Sequence, residues 1–258
     1  MEVLVGAQTD VGLVREHNED NYFVGRHIWA VADGMGGQAA GDMASTIVTE
    51  QLRVRDSEGP LEPDEMRSVI SGINRTLIEY ARQNPTATGL GSTVTGIASV
   101  ELDDVAHWSV FNVGDSRVYR FADGRLSRQT VDHNEAEELI EAGVLDPDDA
   151  LLDPSRFVLT RALGTSPPPQ PDIFLIPQRP GETFLICSDG LTSEVNETAI
   201  ADVLRSNPDP KKAAARLINL TLEAGAHDNV TVIVVVSSHK DTTVDSTTQP
   251  RSDVQEVE

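Results

Sequence analysis

Residues 92–129 read STVTGIASVELDDVAHWSVFNVGDSRVYRFADGRLSRQ. Four runs in it, STVTGIASV, VAHWSVFNVGD, SRVYRF and GRLSRQ, are rich in β-branched and aromatic residues, and Asp123-Gly124 between the last two is a hairpin signal. The stretch predicts a meander whose neighbouring strands run antiparallel.

Upstream, VLVGAQ, NYFVG and HIWAVAD predict short strands. A helix is expected through QAAGDMASTIVTEQL and a second from Pro63, which carries Met66, Val69, Ile70, Ile73, Leu77 and Ile78 at helical spacing. Downstream, EAEELIEAG predicts an acidic helix, while DPDDALLDPSR has neither period and predicts a mobile surface loop over about Leu145 to Arg156. DIFLIP and TFLICSD are expected strands, followed by helices around Glu197–Arg205 and Pro210–Ala224 and a last strand in DNVTVIVVV. Simple alternation of strand and helix would favour a parallel, doubly wound sheet; strands and helix pairs in blocks favour antiparallel sheets covered by helices. The expected fold is therefore an α/β sandwich of α+β type in four layers, with two mainly antiparallel β-sheets flanked by helix pairs. From about Ser238 the chain is polar and aperiodic, so one domain over 1–238 and a disordered tail over 239–258 are expected.

With 42 acidic and 20 basic side chains the formal charge is −22, which argues against a nucleic-acid or anionic-membrane partner. Apolar residues make up 39%, enough for a sizeable core. The lone cysteine, Cys187, permits no internal disulfide and points to a reducing cytoplasm. No signal-peptide pattern opens the chain, and the most apolar run, Val230 to Val236, is too short to span a bilayer. A soluble, unexported protein without membrane insertion is the expectation.

Four aspartates share a placement: Asp33 ends HIWAVAD, Asp115 ends SVFNVGD, Asp189 ends TFLICSD and Asp228 opens DNVTVIVVV. Any one of them reads naturally as a turn residue. Together they can meet where strand ends lie side by side, and converging carboxylates repel one another unless a cation neutralises them. Oxygen ligands select hard ions such as magnesium or manganese, and a pair of such ions activates water for in-line attack on phosphorus. The constellation points to metal-assisted phosphate hydrolysis.

The segments TDVGLVREHNEDN, VADGMGG, GSTVTG, FNVGDSRVYRF, LTRALG, CSDGL and DNVTVIVV occur in this order. Over about residues 5–236 the chain thereby resembles the bacterial type of metal-dependent serine/threonine protein phosphatases of type 2C. The resemblance implies two tightly bound manganese or magnesium ions bridged by Asp33, with the Gly34 carbonyl on one of them. It implies that Asp189 and Asp228 complete the first ion's shell, that Glu19 and Asp20 hold waters of the second, and that Asp115 shares a third, weaker ion with Asp189. Arg15 matches the phosphate-binding arginine, whose planar fork suits two phosphate oxygens. Asn229 is a candidate to orient a carboxylate or a metal water.

By the same resemblance a metal-bridging hydroxide attacks the phosphorus of phosphoserine or phosphothreonine directly, without a phosphoenzyme. Phosphorylated proteins, serine/threonine kinases among them, are the implied partners, and a monomer is expected. Animal-type members carry a histidine after the Asp-Gly pair to protonate the leaving oxygen; here Met35 stands there, as in bacterial-type members, and a metal-bound water is the simplest substitute. His17 and His133 match no catalytic position and read as surface or packing histidines. The 145–156 segment takes the place of the family's flap, with Asp146, Asp148, Asp149 and Asp153 as a negative rim that would favour basic flanking sequence or serve only as a solvated face.

Rival chemistries are weaker. A cysteine phosphatase needs an arginine six positions after its nucleophile, and six after Cys187 stands Ser193. No GxxxxGK[ST] loop is present. Gly34, Gly36 and Ala39 with Asp56 imitate a dinucleotide fingerprint, but Asp33 would then face the pyrophosphate, and the segment before Asp56 continues a helix. A non-catalytic, phosphatase-like binding domain would be expected to have lost metal ligands, and each aspartate implied as a ligand is present.

Overall fold

A computed structural model of the chain describes residues 2–36, 40–150 and 153–238. One sheet contains β1 (Glu2–Asp10), β7 (Arg117–Ala122), β8 (Arg125–Arg128), β10 (Thr183–Cys187) and β11 (Val230–Ser238), in the order β1-β11-β10-β7-β8. The other contains β2 (Asp20–Val24), β3 (Ile28–Met35), β5 (Val94–Leu102), β6 (Val105–Val113) and β9 (Asp172–Pro177), in the order β2-β3-β5-β6-β9, with the short β4 (Gly91–Ser92) paired to the end of β3. Every pairing between these strands is antiparallel.

The 92–129 stretch forms two hairpins and not one continuous meander. β6 stays in the second sheet and β7 belongs to the first, so the chain crosses between sheets at Gly114–Ser116. Asp123 and Gly124 have φ of 50° and 73°, the paired positive values that a tight hairpin needs. Asp103 and Asp104 do the same between β5 and β6, at 51° and 62°.

Alternation along the strands builds three apolar layers. Trp29, Val31, Trp108, Phe184, Ile233 and Val235 point between the sheets, where Trp108 meets Trp29 and Phe184 edge to face with ring centroids 5.8 and 5.5 Å apart. The intervening Ala30 and Ala32 face α1 (Ala40–Ser57) and α2 (Glu65–Gln83) through Val48, Leu52, Ile70 and Leu77. On the opposite side Val232 and Val234 face α6 (Glu197–Ser206) and α7 (Pro210–Ala224) through Ile200, Leu217 and Ile218. β11 is thus covered on both faces, which is why Val232–Val236 are apolar at every position and do not alternate with polar residues.

Smaller elements depart from the sequence expectation. α1 continues to Ser57 and not Leu52, because the Asp56 carboxylate at its end accepts the backbone N–H groups of Arg26, His27 and Ile28 at 2.7–2.9 Å. That use of Asp56 also removes it from any ribose-binding role. α2 starts at Glu65, two residues after Pro63. The acidic helix is α3 (Glu135–Glu141), capped by Asn134 Oδ1 accepting from Glu137 N–H at 2.9 Å. The expected loop over 145–156 contains α4 (Pro147–Ala150) and a 3₁₀ turn at Pro154–Phe157, which Asp153 caps by accepting from the Ser155 N–H. TFLICSD is not all strand: β10 stops at Cys187 and Asp189 opens α5 (Asp189–Glu194). The expected tail, 239–258, lies outside the described residues.

Candidate metal centre

The site lies at one end of the sandwich, where strand ends of both sheets meet. Asp20 and Asp33 stand directly opposite each other in the β2–β3 pair, with their side chains on one face of the sheet. Asp33 sits inside β3 and not at its end as read from the sequence, since the strand runs on to Met35. From the other sheet come Asp189, just past β10, and Asp228, just before β11. Asp115 occupies the crossing between β6 and β7. A cleft of about 740 Å³ is lined by Arg15, Glu19, Asp33, Gly34, Met35, Thr93, Asp115, Asp189, Asp228 and Asn229, and residues 157–159 form another part of its wall.

Two close backbone approaches set this convergence. A Cβ on Gly34 would lie 2.0 Å from the Gly41 carbonyl oxygen, so a glycine is required for the start of α1 to rest on β3. A Cβ on Gly190 would lie 2.0 Å from the Asn229 carbonyl oxygen, so the glycine after Asp189 is what lets α5 sit against the turn that bears Asp228. Ser188 joins the two sheets: its Oγ donates to Asp20 Oδ2 at 2.7 Å and accepts the Thr231 N–H at 2.9 Å. Thr93 Oγ1 accepts the Asp33 N–H at 2.9 Å and shares a hydrogen bond with Ser116 Oγ at 2.9 Å. Neither hydroxyl was singled out from sequence, although each lies inside a quoted motif, one in GSTVTG and one in CSDGL.

The electrostatics are those of crowded acids. Burial pushes Asp33 well above the usual carboxylate range, and the charges of Asp20, Asp189, Asp115 and Asp228 add to it. Burial raises Asp20 to about 7, against the lowering effect of its hydroxyl donors. Asp189 rises to about 6, through burial and then the charge of Asp228. Asp115 is raised by burial, then by Asp189 and Asp132. Asp20 Oδ1 is buried with no hydrogen-bond partner. Among the described residues no three acidic, histidine or cysteine side chains form a ready-made cage; the carboxylates come from separate elements of the fold, which suits hard ions that keep part of their water. Repelling acids, an orphaned carboxylate oxygen and an all-oxygen donor set fit magnesium or manganese.

The remaining sequence candidates divide by position. Arg15 reaches the cleft and its Nη2 donates to Asp228 Oδ2 at 2.8 Å. Glu19 lines the cleft, its carbonyl accepting the Gly34 N–H at 3.1 Å. The Asn229 side chain holds backbone: Oδ1 accepts from Glu19 N–H and Nδ2 donates to the carbonyls of Val11 and His17, while the Asn229 N–H donates to Asp228 Oδ1. It fixes the loop that carries Arg15 and Glu19. His17 is exposed, as expected of a surface histidine, whereas His133 is buried. The cleft wall next to the flap segment is made by Phe157, Val158 and Leu159, and the Asp153 carboxylate is engaged in its own turn. Cys187 is a buried thiol whose pKa burial pushes up to about 12, the opposite of an activated nucleophile.

Known proteins share this fold. The chain is 34% identical over 239 residues to the serine/threonine phosphatase stp of Listeria welshimeri, covering 88% of this chain and 93% of the relative. The catalytic domain of serine threonine protein phosphatase PstP in complex with two manganese ions superposes with a TM-score of 0.83 at 32% identity, over 92% of this chain and 99% of that one. The PPM Ser-Thr phosphatase MsPP from Mycobacterium smegmatis, in complex with cacodylate, gives 0.82 at 35%, over 91% and 98%. The model of the family described as protein phosphatase 2C matches residues 15–227, and the chain belongs to that family.

Proposed function

We propose that this chain is a metal-dependent protein phosphatase that hydrolyses phosphoserine and phosphothreonine. The observation that carries the reading is the meeting of Asp33, Asp115, Asp189 and Asp228, drawn from both sheets, at one cleft that Arg15 also reaches, with Asp20 buried opposite Asp33. Manganese or magnesium would be held as a tight pair by Asp33, the Gly34 carbonyl, Asp189 and Asp228, with Glu19 and Asp20 acting through water. Asp115 and Asp189 would share a weaker third ion. When bound, such ions supply an acidified water for in-line attack and neutralise charge on the phosphoryl group.

The chain's own groups do the rest. Arg15 binds two phosphate oxygens and orients the phosphorus toward Asp33. Asn229 and Ser188 keep the Arg15 loop and Asp20 in register with β11. Met35 lines the cleft and has no proton to give, so we assign proton delivery to the leaving oxygen to the Asp115 side. Residues 1–238 act as one catalytic domain. We further propose phosphorylated proteins as substrates, serine/threonine kinases among them, and a monomeric, cytoplasmic enzyme. The charge of −22 supports a partner other than nucleic acid, and no helix among the described residues is long and apolar enough to cross a membrane.

Calorimetric titration of manganese into the chelator-treated chain tests the reading. The parent should take up a tight pair of ions, and Asp33→Ala or Asp189→Ala should lose both the pair and phosphopeptide hydrolysis while remaining folded. Parental turnover in either variant would move the site elsewhere.

A further inference from the structure

We infer that His133 is a positioning residue for Asp115, holding the Gly114–Asp115 turn through a neutral imidazole that carries its proton on Nε2. The inference rests on the reading of Asp115 as a participant in hydrolysis and adds what holds that carboxylate in place.

The Gly114 backbone N–H points at His133 Nδ1, 3.1 Å away. A backbone N–H can only donate, so Nδ1 must be the unprotonated nitrogen and the proton sits on Nε2. Nε2–H in turn donates to Asp172 Oδ2 at 3.1 Å, and Arg161 Nη1 holds the other oxygen of Asp172 at 2.9 Å. Arg161 Nη1 also lies 3.1 Å from His133 Nε2, but both atoms carry hydrogen, so this is a contact and not a hydrogen bond. Burial, aided by the charge of Arg161 and opposed by Asp172, lowers the pKa of the ring and keeps it neutral.

The same residue grips the turn a second time, because the His133 N–H donates to the Gly114 carbonyl at 3.0 Å. That turn has little room to move. A Cβ on Gly114 would lie 2.5 Å from Thr93 Cγ2, and Thr93 is the residue whose hydroxyl holds Asp33. On the far side of Asp115, the Ser116 hydroxyl is bonded to Thr93 and its carbonyl accepts from Thr95 Oγ1 at 3.2 Å. Asp115 is thus a half-buried residue between two buried, clamped neighbours, and the aim of its carboxylate follows the backbone. The residues beside His133 serve other ends: Asp132 pairs with Arg117 at 2.6 Å, and Asn134 caps α3. Of the three side chains in Asp132-His133-Asn134, it is that of His133 that fixes the turn bearing Asp115.

Two substitutions separate the two ring nitrogens. In His133→Asn, Oδ1 takes the place of Nδ1 as acceptor and the Asp172 contact is lost; in His133→Gln, the side chain reaches Asp172 and leaves the Gly114 N–H without an acceptor. With a phosphothreonine peptide and saturating manganese, H133Q should lower kcat about tenfold or more with KM little changed, while H133N stays within about threefold of the parent. Added to Asp115→Ala, H133Q should cost less than about twofold further, since both act through one carboxylate. In the magnesium-loaded parent, the ¹⁵N shifts of His133 should show a bare Nδ1 and a protonated Nε2. A protonated Nδ1 in the parent, or losses from H133Q and D115A that multiply independently, would overturn the inference. Parental turnover in D115A alone would overturn the role of Asp115 itself, and with it the reason for holding that turn.

Discussion

Nη2 of Arg15 lies 2.8 Å from Oδ2 of Asp228, an ion pair that ties the loop after β1 to the turn before β11. The two side chains are 52% and 37% exposed, so solvent screens the pair and it adds little to stability. Its value is positional: the guanidinium is kept at the cleft with donors left over for a phosphate. Arg15→Ala should raise KM for phosphopeptides roughly 10- to 100-fold, from the loss of a charge-assisted contact worth about 1.5 to 3 kcal/mol. Arg15→Lys should recover part of that, and the melting temperature should not move. Unchanged steady-state kinetics in Arg15→Ala would return this residue to the solvated surface.

Asp115→Ala should impair catalysis while sparing the tight ion pair, because Asp115 sits at the sheet crossing, apart from the Asp20–Asp33 register. With no proton available from Met35, the defect should be larger for a phosphoserine peptide, whose alkoxide leaves poorly, than for an aryl phosphate. The ratio of the two rates across a manganese titration measures this. Equal losses on both substrates would remove the leaving-group role.

The raised acids predict how the metal-free chain responds to pH. Asp20 and Asp189 keep protons in the folded state up to about 7 and about 6, whereas in the unfolded chain both release them near 3.8. Folding therefore takes up protons in that interval, and stability falls as pH rises through it. The chelator-treated chain should melt at higher temperature near pH 5.5 than near pH 8, and Asp189→Asn should flatten the difference. Manganese affinity should run the other way, strengthening as pH rises through 6 to 7, because the ion displaces those protons. A melting temperature that climbs with pH in chelator would show that these carboxylates ionise freely.

Asp56 tests the fold apart from the chemistry. Its carboxylate accepts three backbone N–H groups at the turn between β2 and β3. Asp56→Ala should cost about 2 to 4 kcal/mol and lower the melting temperature by roughly 5 to 15 °C. Turnover per folded molecule should be unchanged. Bound nicotinamide dinucleotide lost from this variant would revive the fingerprint formed by Gly34, Gly36 and Ala39.

Much of this was legible in the sequence because it is local. The paired positive φ at Asp123-Gly124, the helical spacing of Ile70, Ile73 and Leu77, and the placement of aspartates near strand ends are all written within a few residues. What escaped depends on contacts distant in sequence. The parting of β6 and β7 into different sheets follows from which faces find a partner, and both strands read alike. Ser188 reaches Asp20 across 168 positions, and His133 reaches Gly114 across 19. A buried histidine between two polar neighbours carries no periodic signal, so only the fold reveals that it grips the Asp115 turn.

Hydrolysis of a phosphothreonine peptide by the full chain, with manganese and again after chelation, tests the central claim most directly. Turnover should be present with manganese, vanish with chelator and return when excess metal is restored, because the acids around Asp33 are built to be neutralised by cations. Turnover indifferent to chelator, or absent at every manganese concentration, would contradict the account.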